Sequence, residues 1–192
     1  MKIGVGVEGP SDREFWDKVL HKHFRGVHFH IRIMGGRPSL IRETPRLLNT
    51  FRDAHYDAGF ILIDRDDAQC PPAVVDEFDP AIQIEARKPA DQRYLFICVA
   101  IRELEAWLLA DEPAIVALLP NANYKAPTET APLNAKARIL ELLRAQHGRQ
   151  VGYNEIEFAK RVAPKFNPDE ATKRSKSLAY FWERMSTRLQ SG

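Results

Sequence analysis

Three acidic residues set directly behind apolar runs are the first features of the sequence that suggest chemistry. Glu8 follows Lys2-Ile3-Gly4-Val5-Gly6-Val7, while Asp64 and Asp66 follow Gly59-Phe60-Ile61-Leu62-Ile63. Carboxylates brought within several ångströms repel one another, and burial without a cation forces at least one to keep its proton. Hard oxygen ligands open to water suit Mg²⁺ or Mn²⁺, with phosphate oxygens of a substrate completing the shell. If the chain is still extended beyond Ile63, the two-residue spacing sends Asp64 and Asp66 the same way. The expected site is therefore a divalent-metal centre of Glu8, Asp64 and Asp66.

Such a centre needs elements that bring two distant acidic segments together. Residues 2–7 read as a strand, and Ser11-Asp12-Arg13-Glu14 as a capping box with Ser11 at the N-cap of the next helix. Residues 27–34 alternate like a half-exposed strand and stop at Gly35-Gly36. Thr44-Pro45 reads as a second helix start, with proline at the tolerated first position. The almost wholly apolar 59–63 run predicts a central parallel strand covered on both faces. A weaker helical segment after Pro71-Pro72, a buried strand at 94–101 and a helix at 103–109 complete the pattern. Alternating strands and helices imply a parallel, doubly wound sheet. Strand order 2-1-3-4 would set strands 1 and 3 side by side at the switch point, where ligands bind beyond the carboxyl ends. Glu8, Asp64 and Asp66 all fall at that edge.

From about residue 120 the pattern becomes helical, with helices expected at 135–145 and 155–163 and a last one carrying Leu178, Phe181, Trp182, Met185 and Leu189. The expected organisation is an α/β domain over 1–119 and a helical, basic C-terminal extension over 120–192 packed on it. The net charge of +2 divides into −4 for residues 1–120 and +6 for residues 121–192. An acidic half joined to a basic half fits a metal site beside a polyanion-binding surface. No apolar run approaches the roughly 18–20 residues of a membrane span, and the N-terminus lacks the pattern of a signal peptide. Only Cys70 and Cys98 are present, which excludes a disulfide framework and a Cys-rich zinc site and points to a reducing cytoplasm. His28 and His30 share a strand face without a third ligand, a poor zinc site, and with His21 and His23 they read as structural.

A Glu-Gly pair after the first strand, then an acidic residue and a helix, then Asp-x-Asp after a later strand, resembles the signature of the Toprim fold. Val7-Glu8-Gly9-Pro10-Ser11-Asp12, Ile63-Asp64-Arg65-Asp66-Asp67 and Glu103-Leu104-Glu105-Ala106-Trp107-Leu108-Leu109-Ala110-Asp111 are together similar to a narrower family. That family comprises Toprim-like proteins first catalogued as a domain of unknown function, found among bacterial phage-defence and retron-associated genes. The resemblance is closest over residues 1–112, and Tyr153-Asn154-Glu155 and Ser175 to Phe181 look loosely similar to the family's tail. It implies metal-dependent phosphodiester cleavage of DNA or RNA, with Glu8 as ligand or general base and Asp64 and Asp66 as ligands. Glu103 and Glu105 lie just past the fourth strand, and Glu105 is the choice to complete a second metal position, since on a helix the two would point about 200° apart.

Asp12 and Asp67 are expected around the metal. Arg37, with the Gly35-Gly36 amides, and Lys173 and Lys176 are expected near phosphate. Asp111 is expected to hold the following turn, and Trp107 to pack. Many Toprim nucleases work beside an ATPase, so the resemblance implies a possible ATPase partner encoded nearby; the chain has no nucleotide-binding Gly-x-x-x-x-Gly-Lys-Ser/Thr loop of its own, and an oligomer is compatible with the sequence. The competing expectation is a non-catalytic Toprim-like module that binds nucleic acid or an ATPase partner.

Overall fold

The computed structural model describes residues 1–66, 68–101, 103–129 and 134–190. Four parallel strands, β1 (Lys2–Val7), β2 (His28–Ile33), β3 (Ala58–Asp64) and β4 (Leu95–Ala100), form one sheet in the order β2-β1-β3-β4. This is the order the alternation implied, with β1 and β3 as central neighbours. Helices α1 (Pro10–His23) and α2 (Arg37–Asp53) connect the first three strands. Two short helices, α3 (Pro71–Val75) and α4 (Pro80–Arg87), lead to β4. Then follow α5 (Leu104–Ala110), α6 (Glu112–Leu118), α7 (Ala135–His147), α8 (Glu155–Val162), α9 (Pro168–Ala171) and α10 (Lys176–Gln190).

Two helix starts differ from expectation. The N-cap of α1 is Gly9, not Ser11; Pro10 takes the first helical position and the Asp12 carboxylate reaches back to the Gly9 N–H at 2.9 Å. Proline needs no N–H there, and the acidic residue three beyond the cap satisfies the cap's own amide. Helix α2 starts at Arg37, so Thr44-Pro45 lies inside it. Gly36, at φ +92°, supplies a left-handed turn from β2 straight into the helix. Pro45 removes one backbone donor, and the buried Thr44 hydroxyl donates to the Leu40 carbonyl at 2.6 Å one turn back.

The sheet separates two apolar clusters. On one face Val5, Phe60 and Phe96 pack with α1, α5 and α10, where Phe181 stacks on Trp107 at 5.8 Å. This cluster runs without a break from Ile3 to Met185, so the helical tail and the sheet share it. On the other face Ile61, Ile63 and Ile97 meet Leu47 and Phe51 of α2. β1 buries only glycines on that face: a Cβ on Gly4 would overlap the Phe51 ring, and one on Gly6 would stand 2.9 Å from Ile61 and Leu47 methyls. α2 thus lies directly on β1. Gly4→Val is expected to destabilise the protein by about 1–3 kcal/mol, the usual cost of overpacking, read as a lower denaturation midpoint at unchanged slope.

Candidate metal centre

β1 and β3 end side by side, and their last residues carry the acidic cluster. Glu8 Oε1 accepts the Asp64 backbone N–H at 2.9 Å, so the carboxylate following β1 closes off the end of β3. Asp64 is the last residue of β3, and the Arg65 N–H still donates to the Ala100 carbonyl at 2.9 Å. The chain turns immediately afterwards, because Asp66 has φ +47°, a left-handed conformation that Asp tolerates better than most residues. Asp64 and Asp66 therefore do not extend from one straight strand. Asp64 is half-buried against the sheet, whereas the Asp66 side chain is 49% exposed.

Arg37 links these parts. Its guanidinium donates to the Asp64 carbonyl and to Glu77 Oε1 at 2.6 Å, and lies 3.8 Å from Asp66. The Gly35 and Gly36 amides donate to the Glu8 carbonyl at 3.1 and 2.9 Å. The amides and Arg37, expected near a phosphate, have their donors engaged within the chain in this arrangement, where they brace the acidic turn. Asp12 stands beside Glu8 and Asp64, and the three carboxylates line a cavity of about 10 Å³ with Leu104, Trp107 and Ala100. That is room for about one water-sized sphere.

The crowding has an electrostatic consequence. Burial and the neighbouring Glu8, Asp12, Glu105 and Asp66 charges push the Asp64 carboxyl up to about 9. Burial also raises Glu8, against the opposing Asp64 N–H, with Asp66 and Asp12 adding to the rise. Burial likewise raises Asp12. Repulsion of this kind between half-buried carboxylates is relieved by a proton or by a cation.

Glu105 is buried and joins the same field. Its Oε1 accepts from the Tyr153 hydroxyl at 3.2 Å and lies 3.7 Å from Lys136 Nζ, which also pairs with Glu155 at 3.0 Å. Burial, opposed by Lys136, sets its carboxyl at about 7. Glu103 proves to be the N-cap of α5 with extended backbone, so the helical 200° separation does not apply. Both carboxylates sit in the electrostatic environment of Lys136. Glu103 Oε2 is buried with no hydrogen-bond partner among the described residues. Lys136, Tyr153 and Glu155 are the site residues the sequence reading did not assign; Tyr153-Asn154-Glu155 stood out there only as a loosely similar stretch.

The remaining expected residues separate. Asp67 lies outside the described residues. Lys173 is held by Glu170 at 2.6 Å, and Lys176 is exposed at the start of α10. Trp107 is core, and its Nε1 donates to Ser177 Oγ at 2.7 Å. Asp111 does hold its turn, accepting from the Ala114 N–H at 3.1 Å and the Asn167 N–H at 2.6 Å while fully buried. Asp111→Ala orphans both amides and is expected to cost about 1–3 kcal/mol, measurable by urea denaturation.

Glu8, Asp12, Asp64, Asp66, Glu103 and Glu105 offer hard oxygen donors of the kind that Mg²⁺ or Mn²⁺ takes. Among the described residues, however, no three His, Cys, Asp or Glu side chains stand close enough together to hold an ion.

Fold and site together define an α/β protein with a carboxylate cluster at the switch point of a parallel sheet. Residues 7–186 match the family described as "Domain of unknown function (DUF4276)", and the chain belongs to that family. No curated protein and no solved structure matches it. No helix among the described residues is long and apolar enough to cross a membrane.

Proposed function

We propose that the protein is a metal-dependent nuclease of Toprim type, hydrolysing phosphodiester bonds of DNA or RNA in bacterial anti-phage defence within the cytoplasm. The observation that carries this reading is the set of carboxylates gathered where β1 and β3 end, with Asp64 held far above the ordinary range by burial and by its neighbours. Glu8, Asp64 and Asp66 would hold the ion, with Glu105 offering a second position. A bound divalent ion supplies Lewis-acid polarisation of a phosphate oxygen. Glu8 then serves as the base that takes a proton from water, its carboxylate oriented by the Asp64 N–H. Arg37 keeps the Asp64–Asp66 turn in place. Lys136 offsets the charge on Glu105.

A second reading follows from the spacing of the donors, since no three are close enough among the described residues to enclose an ion. It is a Toprim-like module that binds nucleic acid or a neighbouring ATPase without turnover. Incubating the purified chain with single- and double-stranded DNA and RNA in Mn²⁺ separates the two. The nuclease reading expects cleavage that EDTA stops and Glu8→Gln eliminates. Intact substrates with Mn²⁺ bound would favour the module. Intact substrates with no Mn²⁺ or Mg²⁺ binding by calorimetry would sink the metal centre itself.

A further inference from the structure

The two halves of the carboxylate cluster differ in what balances them. Among the described residues, no cation pairs with the carboxylates of Glu8 or Asp64; Arg37 meets Asp64 through its backbone carbonyl and lies 3.8 Å from Asp66. The Glu105 half has a cation of its own. Lys136 Nζ lies 3.0 Å from Glu155 Oε1 and 3.7 Å from Glu105 Oε1, so one ammonium on α7 bridges α8 and α5. Asp12 and Glu103 feel the same charge.

Nothing local favours a lysine there. Lys136 is the second residue of α7, where a cation opposes the helix dipole, and Asn134 already caps that end by accepting the Ala137 N–H. Its carboxylate partners on the neighbouring helices are what hold it. The acids respond accordingly: burial lifts both, but carboxylates add to the rise at Asp64, to about 9, whereas Lys136 opposes it at Glu105, at about 7. A Mg²⁺ ion shared by Glu105 and Glu155 would need their oxygens at about 2.0–2.1 Å. The ammonium already bridges that space and would repel the ion.

We propose that the Lys136 ammonium fills the second metal position, so that the centre takes one divalent ion, at Glu8, Asp64 and Asp66, where a two-metal clamp would take two. This rests on the metal-dependent reading and narrows it. The test counts Mn²⁺ bound by the full chain, by calorimetry without nucleic acid. Lys136→Met keeps an apolar stem and removes the charge of a side chain that is 41% exposed. Wild type is expected to bind one Mn²⁺ and Lys136→Met two. Lys136→Arg should show no gain, and adding Glu105→Gln to Lys136→Met should cancel it. Equal counts in wild type and Lys136→Met overturn the proposal, as does a gain that survives Glu105→Gln. A wild type that binds none speaks against Glu8, Asp64 and Asp66 instead, and a single ion gained by Lys136→Met would then still support the closed second position. If Lys136→Met does not fold, the wild-type count decides: two ions overturn the proposal, and no more than one, unchanged in Lys136→Arg, supports it.

Discussion

Asp64→Asn is expected to lower Mn²⁺-dependent cleavage by about three orders of magnitude, equivalent to about 4 kcal/mol of transition-state stabilisation. The substitution is selective because Asp64 contributes to the site in two ways. Its backbone N–H orients Glu8, and its backbone carbonyl accepts from Arg37; both are kept when the side chain becomes an amide. What disappears is one anionic ligand from the centre of the cluster. A fold defect would show as loss of cooperativity in thermal unfolding, whereas loss of a ligand leaves the transition intact and weakens Mn²⁺ binding. Cleavage at the wild-type rate by Asp64→Asn would remove this residue from the mechanism and, with it, the best-supported part of the site.

The same carboxyl governs the second large effect, on stability as pH changes in the absence of metal. An Asp carboxyl titrates near 3.9 in an unfolded chain, and near 9 in this fold. Between those values the native state retains a proton that the unfolded chain has released. Stability therefore falls as pH rises through that window and levels off above it. Glu105, raised to about 7, adds to the fall over the lower part of the window. Glu85 works oppositely: burial resists its ionisation, but Lys88, the Tyr94 N–H and Arg52 outweigh it and lower its pKa. Its contribution is lost only as pH drops through that lowered value, below the ordinary Glu range.

In EDTA the melting temperature should accordingly be higher at pH 5 than at pH 8, and Asp64→Asn should flatten the difference. Asp64→Asn should also melt above wild type at pH 8 by at least about 2–4 °C, the shift that 1 kcal/mol makes in a chain of this size. Added Mg²⁺ should restore the wild-type protein most strongly at the alkaline end, because there it competes with the fewest protons. A melting temperature that climbs between pH 5 and pH 8 in EDTA would contradict the clustering of these charges.

The sheet was legible because β1, β3 and β4 are uniformly apolar runs punctuated by helical patterns, and because crossovers of that length admit few strand orders. Convergence of Glu8 and Asp64 followed from that order alone. Local signals misled where two cues competed. Ser11 and Thr44 both look like helix caps, yet Gly9 and Gly36 perform that role: Gly9 is extended, as the residue before Pro10 is biased to be, and Gly36 takes the positive φ that glycine accepts. The relation of Asp64 to Asp66 required a dihedral angle that spacing does not encode. Lys136 and Tyr153 lie in helical and loop segments whose docking on α5 is settled by packing, and a lysine or tyrosine in such a segment carries no local mark of its partner. The proposed cleavage joins that carboxylate geometry to the reaction class that the resemblance to Toprim proteins implies.

The apolar cluster that spans sheet and tail has a consequence for how this family can vary. A tail that merely hung from the sheet could be exchanged between relatives like a cassette. Here Phe181 and Met185 belong to the same interior as Val5 and Phe60, and the tail also delivers the Tyr153 hydroxyl that Glu105 accepts from and the Lys136 ammonium that opposes its rise. Chimeras joined near residue 120 would thus inherit a mismatched interior and a retuned acid at once. Substitutions in the two halves should be read as paired, each interpretable only alongside the other.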